Sequence, residues 1–308
     1  MHTTLIRPPY LQPGDLVAIV APSGVLINEE KSIEEAVTLF KSWKLNVVPG
    51  EHLFNDNGHF AGTDEERAAD FQKALDNPAV RAIWCARGGY GTVRILDRLN
   101  YDKFRAHPKW IVGYSDITAL HNQLHNEGYE SVHGFMCTNL DRDPEAIKIS
   151  IATCKDVLFG KPVHYKIGGN DCNRPGKATG QLVGGNLTLL HTMLGSSTSI
   201  DTRGKILFIE EIGEYAYHID RMLQSLKRAG YFEGCRGLIV GDISKVRENT
   251  TPFGRTIEEI ILDVVADYDF PVMFGFPAGH EDENRALILG RTIELNVKKD
   301  SAEVKFSK

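Results

Sequence analysis

In the first half of the chain, short apolar runs alternate with stretches of helical spacing. Residues 15–21 read DLVAIVA, a run that predicts a strand buried on both faces. Residues 29–43 then place Ile33, Ala36, Val37 and Phe40 on one helical face. Further strands are expected at 45–48, 80–85 and 110–113, and helices after Thr63, from about Thr92, over 116–126 and from Asp143-Pro144 to about 159. Thr63 and Glu66 have capping-box spacing, and Asp143-Pro144 has the form of an N-cap followed by a first-turn proline. This alternation predicts a mostly parallel sheet with helices on both faces over residues 1–160.

Residues 161–180, KPVHYKIGGNDCNRPGKATG, are rich in Gly, Asn, Asp and Pro and are read as a linker. The remainder, 181–308, mixes helices with short strands at 206–210, 238–240, 272–274, 286–289, 292–295 and 303–306. It is expected to form an α+β domain. Helices follow Gly185, begin near Tyr217 with Gly230 as their stop, and span 256–268.

Composition narrows the function. Among 308 residues, 35 are Lys or Arg and 41 are Asp or Glu, a formal charge of −6 with no basic block. Nucleic-acid binding, which depends on neutralising phosphates, is not expected. The start of the sequence, MHTTLIRPPYLQPGD, has no basic segment followed by an apolar core, so no signal peptide is expected, and the longest apolar stretch, residues 16–27, is broken by Pro22, Ser23 and Gly24 and is too short for a membrane span. Five scattered cysteines without a CxxC pair fit reduced thiols in a cytoplasmic protein.

Candidate chemistry gathers where strands end. In WIVGYSDI, Ser115 falls at a strand-to-helix turn, where a serine is either an N-cap or an exposed nucleophile. The next N–H, that of Asp116, could then hold an oxyanion. Arg87-Gly88-Gly89-Tyr90-Gly91 also joins a strand to a helix, as a tight turn or as a cradle for an anion. It fits neither the dinucleotide nor the P-loop pattern, so no nucleotide cofactor is called for. ILFIEE ends an apolar strand in Glu210 and Glu211, either a solvated terminus or an acid that orients a histidine. His280 lies in GHEDEN, a loop where it could serve as a general base. It has no second local histidine, so no metal site is expected. His121 and His125 share a helix face without the glutamate of a zinc-protease motif, and read as a structural or surface pair. The order Ser115, Glu210, His280 matches that of Ser…Asp/Glu…His hydrolases.

Taken together, VAIVAPSG, ARGGYG, VGYSDITALH, VHGFM, GQLVGGNLTLL, LFIEEIGEYAYHIDRML, IVGDIS and FPAGHEDENRALILG run in order through nearly the whole chain. With them the chain resembles the LD-carboxypeptidases, also called muramoyltetrapeptide carboxypeptidases, a family of serine peptidases. The resemblance implies a flavodoxin-like N-terminal domain carrying the nucleophile Ser115 and a β-rich C-terminal domain carrying Glu210 and His280. It implies an oxyanion hole of the Gly89 and Asp116 backbone N–H groups, with Gly88, Arg87 and His133 lining the substrate site. Where relatives often read Glu-Asp, this chain reads Glu210-Glu211. The expected reaction removes the terminal D-alanine of a murein tetrapeptide during cell-wall recycling. A cytoplasmic homodimer needing no metal or cofactor is implied. Two other readings remain open: an amide hydrolase giving immunity to a peptide-nucleotide antibiotic, and a non-catalytic flavodoxin-like binder of a nucleotide or flavin.

Overall fold

In a computed structural model that describes residues 5–248 and 250–308, the chain divides into two compact units. The first holds the described residues up to Lys161 together with Arg285–Leu287; the second holds Pro162–Asn284 and Ile288–Lys308.

The first unit runs β1 (Leu16–Val20), α1 (Glu30–Ser42), β2 (Asn46–Pro49), α2 (Asp64–Asp76), β3 (Val80–Cys85), α3 (Asp102–Ala106), β4 (Trp110–Gly113), α4 (Thr118–Asn126), β5 (Ser131–His133) and α5 (Lys148–Leu158). All four pairings among its first five strands are parallel. The strand order from one edge is β2, β1, β3, β4, β5, followed by a late strand, Leu287–Leu289. This is the doubly wound, flavodoxin-like order expected, and its direction of winding reverses between β1 and β3. Ligands gather beyond the carboxyl ends of strands at such a reversal. The ends of β1 and β3 carry the Pro22-Ser23-Gly24 and Arg87–Gly91 loops, and the neighbouring β4 leads into Ser115.

Burial explains why the strands were easy to read. β4 is buried at every position, and β1 and β3 at all but one each. Phe40, Trp43, Phe135 and Trp84 pack as an aromatic cluster, and Trp84 Nε1 donates to the Phe135 carbonyl at 2.9 Å. The capping box at Thr63 forms in both directions. At the other end of α2, the buried Lys109 ammonium donates to the carbonyls of Ala74, Leu75 and Asn77. It thus satisfies carbonyls that the helix leaves without partners, while burial pulls its pKa down to about 8.

Two helical expectations are corrected. After Thr92 the chain makes two short 3-10 turns, Thr92–Arg94 and Leu96–Arg98, and not a continuous helix. The Asn100 side chain then accepts from the Asp102 N–H at 2.7 Å and starts α3 afresh, the local competition that disfavours Asn inside helices. Asp143 closes a turn on the Glu145 N–H at 3.0 Å, and α5 begins only at Lys148.

The second unit contains β6 (His164–Gly168), β7 (Gly176–Asn186), α6 (Leu187–Thr192), β8 (Ile206–Ile212), α7 (Ala216–Arg228), β9 (Gly237–Ser244), α8 (Ile257–Val264), β10 (Val272–Met273), β12 (Thr292–Val297) and β13 (Ser301–Phe306); the late strand of the first sheet is β11. Its seven-stranded sheet has the order β10-β9-β8-β7-β12-β13-β6. The β10 to β7 half is parallel, and the β7 to β6 half is antiparallel. Residues 161–180 are therefore not a linker. They supply edge strand β6, paired with β13, and the first half of β7, paired with β12. The polar letters that suggested a linker belong to the turn between these strands and to their exposed faces. α7 buries Ile219, Met222, Leu223 and Leu226 in the core of this unit, a stripe at helical spacing.

Candidate active site

Ser115 lies two residues beyond the end of β4, after Tyr114, and has φ of +62°. A non-glycine residue rarely occupies this left-handed region, and such strain concentrates at functional turns. The turn is held from below. The Gly113 carbonyl accepts from the Gly134 N–H at 3.2 Å and from the His121 ring Nε2 at 2.9 Å. A carbonyl only accepts, so Nε2 carries the proton and Nδ1 accepts from the Ser131 hydroxyl at 2.8 Å. Burial lowers the His121 pKa to about 4 and keeps the ring neutral. The structural reading of His121 therefore acquires a definite task, as a strut beneath the serine turn. Asn139 adds a second strut, donating from Nδ2 to the Tyr114 hydroxyl at 3.0 Å.

The glycine loop lies against the serine. A Cβ added to Gly88 would stand 3.1 Å from Ser115 Cβ and 3.2 Å from its Oγ. Gly89 is exposed with φ of +102°, open to solvent where a side chain would be strained. Arg87 is partly buried, and its Nη1 donates to the Val25 carbonyl at 2.6 Å. His133 is completely buried, with its ring 5.7 Å from that of Tyr114. A side chain with no exposed surface cannot line a substrate site in this conformation. The expectation for His133 is thus replaced by a packing role behind the serine turn.

In the second unit the structure brings Glu210 and His280 together. His280 Nδ1 and Glu210 Oε2 are 2.7 Å apart, with the Glu210 side chain fully buried and that of His280 12% exposed. A carboxylate accepts, so the ring donates from Nδ1 and leaves Nε2 as the basic nitrogen. Glu211 faces elsewhere: it accepts from the Thr188 N–H at 2.8 Å and the Thr188 hydroxyl at 2.7 Å, at the start of α6. Burial raises its pKa. Successive strand residues point to opposite sides, and only Glu210 reaches the histidine.

The histidine loop is pinned to β9. The Asp242 N–H donates to the Ala278 carbonyl at 3.0 Å, and the Asp242 carboxylate accepts from the Glu281 N–H at 3.3 Å. Gly279, at φ of +144°, fits between Asp242 and Glu210; a Cβ there would approach Asp242 Cβ to 2.9 Å. Burial drives the Asp242 pKa up to about 6. Sequence reading missed Asp242, although the signal, a carboxylate closing the apolar run LIVGD, parallels that of Glu210. Among the described residues no group of three or more His, Cys, Asp or Glu is placed to hold a metal ion, and no helix is long and apolar enough to cross a membrane. The cysteines form no disulfides among the described residues.

Residues 17–134 match the LD-carboxypeptidase N-terminal domain, and residues 179–295 match the LD-carboxypeptidase C-terminal domain. A probable murein peptide carboxypeptidase of Bacillus subtilis is 35% identical over 97% of this chain and 94% of that protein. The chain belongs to the LD-carboxypeptidase family. It is accordingly a hydrolase of the serine carboxypeptidase class. Among solved structures, the muramoyltetrapeptide carboxypeptidase of Oxalobacter formigenes aligns with a TM-score of 0.85 and 28% identity, covering 95% of this chain and 99% of that one. The microcin self-immunity protein MccF shares the fold, with a TM-score of 0.85 at 23% identity over 98% of each chain.

Within this LD-carboxypeptidase, the contact between Gly88 and Ser115 gives a first expectation. Gly88→Ala should lower turnover by about 10- to 100-fold, because the methyl displaces the serine from its working position. Its melting temperature should fall by only a few degrees. Assays of turnover and thermal unfolding on the same preparation check both.

Proposed function

We propose that this LD-carboxypeptidase hydrolyses the bond joining the terminal D-alanine of a murein tetrapeptide to the diamino residue before it. Ser115 attacks the carbonyl of that residue while His280 Nε2 takes the hydroxyl proton. Glu210 holds the ring in the tautomer that leaves Nε2 unprotonated and so able to act as the base, and offsets the charge that develops. The N–H groups of Gly89 and Asp116 receive the oxyanion, at about 3 kcal/mol each by analogy with other oxyanion holes. His280 returns the proton to the departing amine of D-alanine. Water, activated by the same ring, then releases the acyl group from Ser115. Arg87, the first residue of the loop and held through one nitrogen, is the proposed partner of the substrate's free carboxylate.

The observation that carries this reading is the 2.7 Å bond from His280 to a fully buried Glu210, in a family whose members are named for this cleavage. A serine held at positive φ at the end of β4 supports it from the other unit. A cytoplasmic homodimer is part of the proposal, supported by the unpaired thiols and by the resemblance to the family.

The test is D-alanine release by purified protein from muramoyl tetrapeptides carrying either lysine or diaminopimelate at the third position. An acyl-sulfamoyl adenylate is run in parallel. Release from a tetrapeptide at a rate well above that of amide cleavage in the adenylate is expected. The reverse preference would move the chain to antibiotic immunity. Sedimentation of the same sample reads the oligomeric state.

A further inference from the structure

We propose that the Asp116 side chain, beyond its backbone N–H, serves the reaction as a positioning residue that sets the spacing of the two oxyanion donors. This rests on the catalytic reading above.

Asp116 is completely buried, directly after the nucleophile. Its Oδ2 accepts from the Thr92 N–H at 2.8 Å. Thr92 is the first residue after the Arg87–Gly91 loop, so this bond joins the segment bearing one donor, Asp116 N–H, to the segment bearing the other, Gly89 N–H.

The loop has other anchors, and they lead elsewhere. The Gly88 carbonyl accepts from the Gly24 N–H at 3.0 Å. The Gly91 carbonyl accepts from buried Arg67 Nη1 at 2.9 Å, and the Thr92 hydroxyl meets that of Ser23 at 2.7 Å. These fix the loop to the β1 end and to α2. The Asp116 carboxylate ties it to the serine turn itself.

Two features set this carboxylate apart from an ordinary helix cap. Its Oδ1 is buried with no hydrogen-bond partner among the described residues, an arrangement that folding alone disfavours and that calls for an explanation. It also belongs to a buried chain of contacts: the Arg67 guanidinium grips the carbonyl one residue before Thr92. Arg67, Gly91, Thr92 and Asp116 thus form one connected buried chain. A charge-assisted bond is shorter and stiffer than a neutral one, which suits a strut that must hold two N–H groups on one oxygen.

The experiment compares Asp116→Ala, Asp116→Leu and Asp116→Asn with wild type in steady-state D-alanine release. Leucine keeps the volume without an acceptor; asparagine keeps an acceptor for the Thr92 N–H. We expect kcat to fall about 100-fold in the alanine and leucine proteins with KM within threefold of wild type, the signature of an interaction that matters in the transition state. Asparagine should bring kcat back to within about tenfold. Wild-type kcat in all three, a loss in asparagine as deep as in alanine, or a change confined to KM overturns the proposal. Loss of the folded state in both alanine and leucine proteins also overturns it, since the tie is then a folding element. Absence of D-alanine release by wild type sinks the reaction and this inference together. A normal wild-type rate with unaltered variants sinks the inference alone.

Discussion

Ser115→Ala is expected to reduce D-alanine release by on the order of 10^4-fold or more while leaving the protein folded. The size follows from what is removed: no other group takes the role of covalent nucleophile, and the oxyanion donors and substrate contacts alone give only the residual rate. The backbone supplies an internal control. Ser115 sits at φ of +62°, where any residue with a Cβ is strained. Alanine keeps that strain, so its melting temperature should match that of wild type. Ser115→Gly should be equally inactive yet more stable, by about 1 kcal/mol, because glycine relieves the strain. Assaying D-alanine by coupled oxidation and unfolding by calorimetry covers both halves. An alanine protein that still turns over at the wild-type rate removes Ser115 from the mechanism. It would favour instead the non-catalytic flavodoxin-like binder, whose ligand affinity would be untouched by the change.

Glu210→Gln is the second large effect, expected to lower kcat by about 10^4-fold. The fully buried Glu210 accepts the Nδ1 proton of His280 at 2.7 Å. A glutamine is nearly the same shape, but it can turn its NH2 toward the ring. Nδ1 then becomes the acceptor and the proton moves to Nε2, so the nitrogen needed as base is blocked. The geometry survives and the chemistry does not. Glu211→Gln is the comparator: Glu211 bonds Thr188 at the start of α6, so its loss should show in thermal unfolding and little in kcat. Nitrogen NMR of the His280 ring reads the tautomer directly. Equal losses of kcat in the two variants would count against Glu210 as the orienting acid.

Much of this was visible in the letters of the chain because the first sheet is buried on both faces. β1, β3 and β4 stand out as apolar runs, and the candidate chemistry sits two to four residues beyond the ends of β3 and β4. β5 escaped notice because three residues are too few to make a pattern. β6 was hidden for a different reason: as an edge strand it alternates exposed His164 with buried Tyr165 amid glycine and polar residues, a texture shared with linkers. Of the proposed site, Ser115, Glu210 and His280 stood out as candidates by type, position and order, and the resemblance to the family gave them their roles; the structure pairs the last two. The tasks of Asp116 and Asp242 were not, since each depends on one bond to a distant backbone N–H, that of Thr92 or Glu281. His133 was placed at the substrate by resemblance alone, with no pattern in its own neighbours, while β5 carries it into the interior.

Because Arg285–Leu287 belong with the residues before Lys161, no single cut divides the gene into two complete halves. A fragment ending at residue 161 would leave β5 as a bare edge, its peptide groups open to pairing with any passing strand. Isolating the nucleophile-bearing half calls for a graft of residues 285–289 or a circularly permuted chain, and an insertion between 284 and 288 would disturb both halves at once.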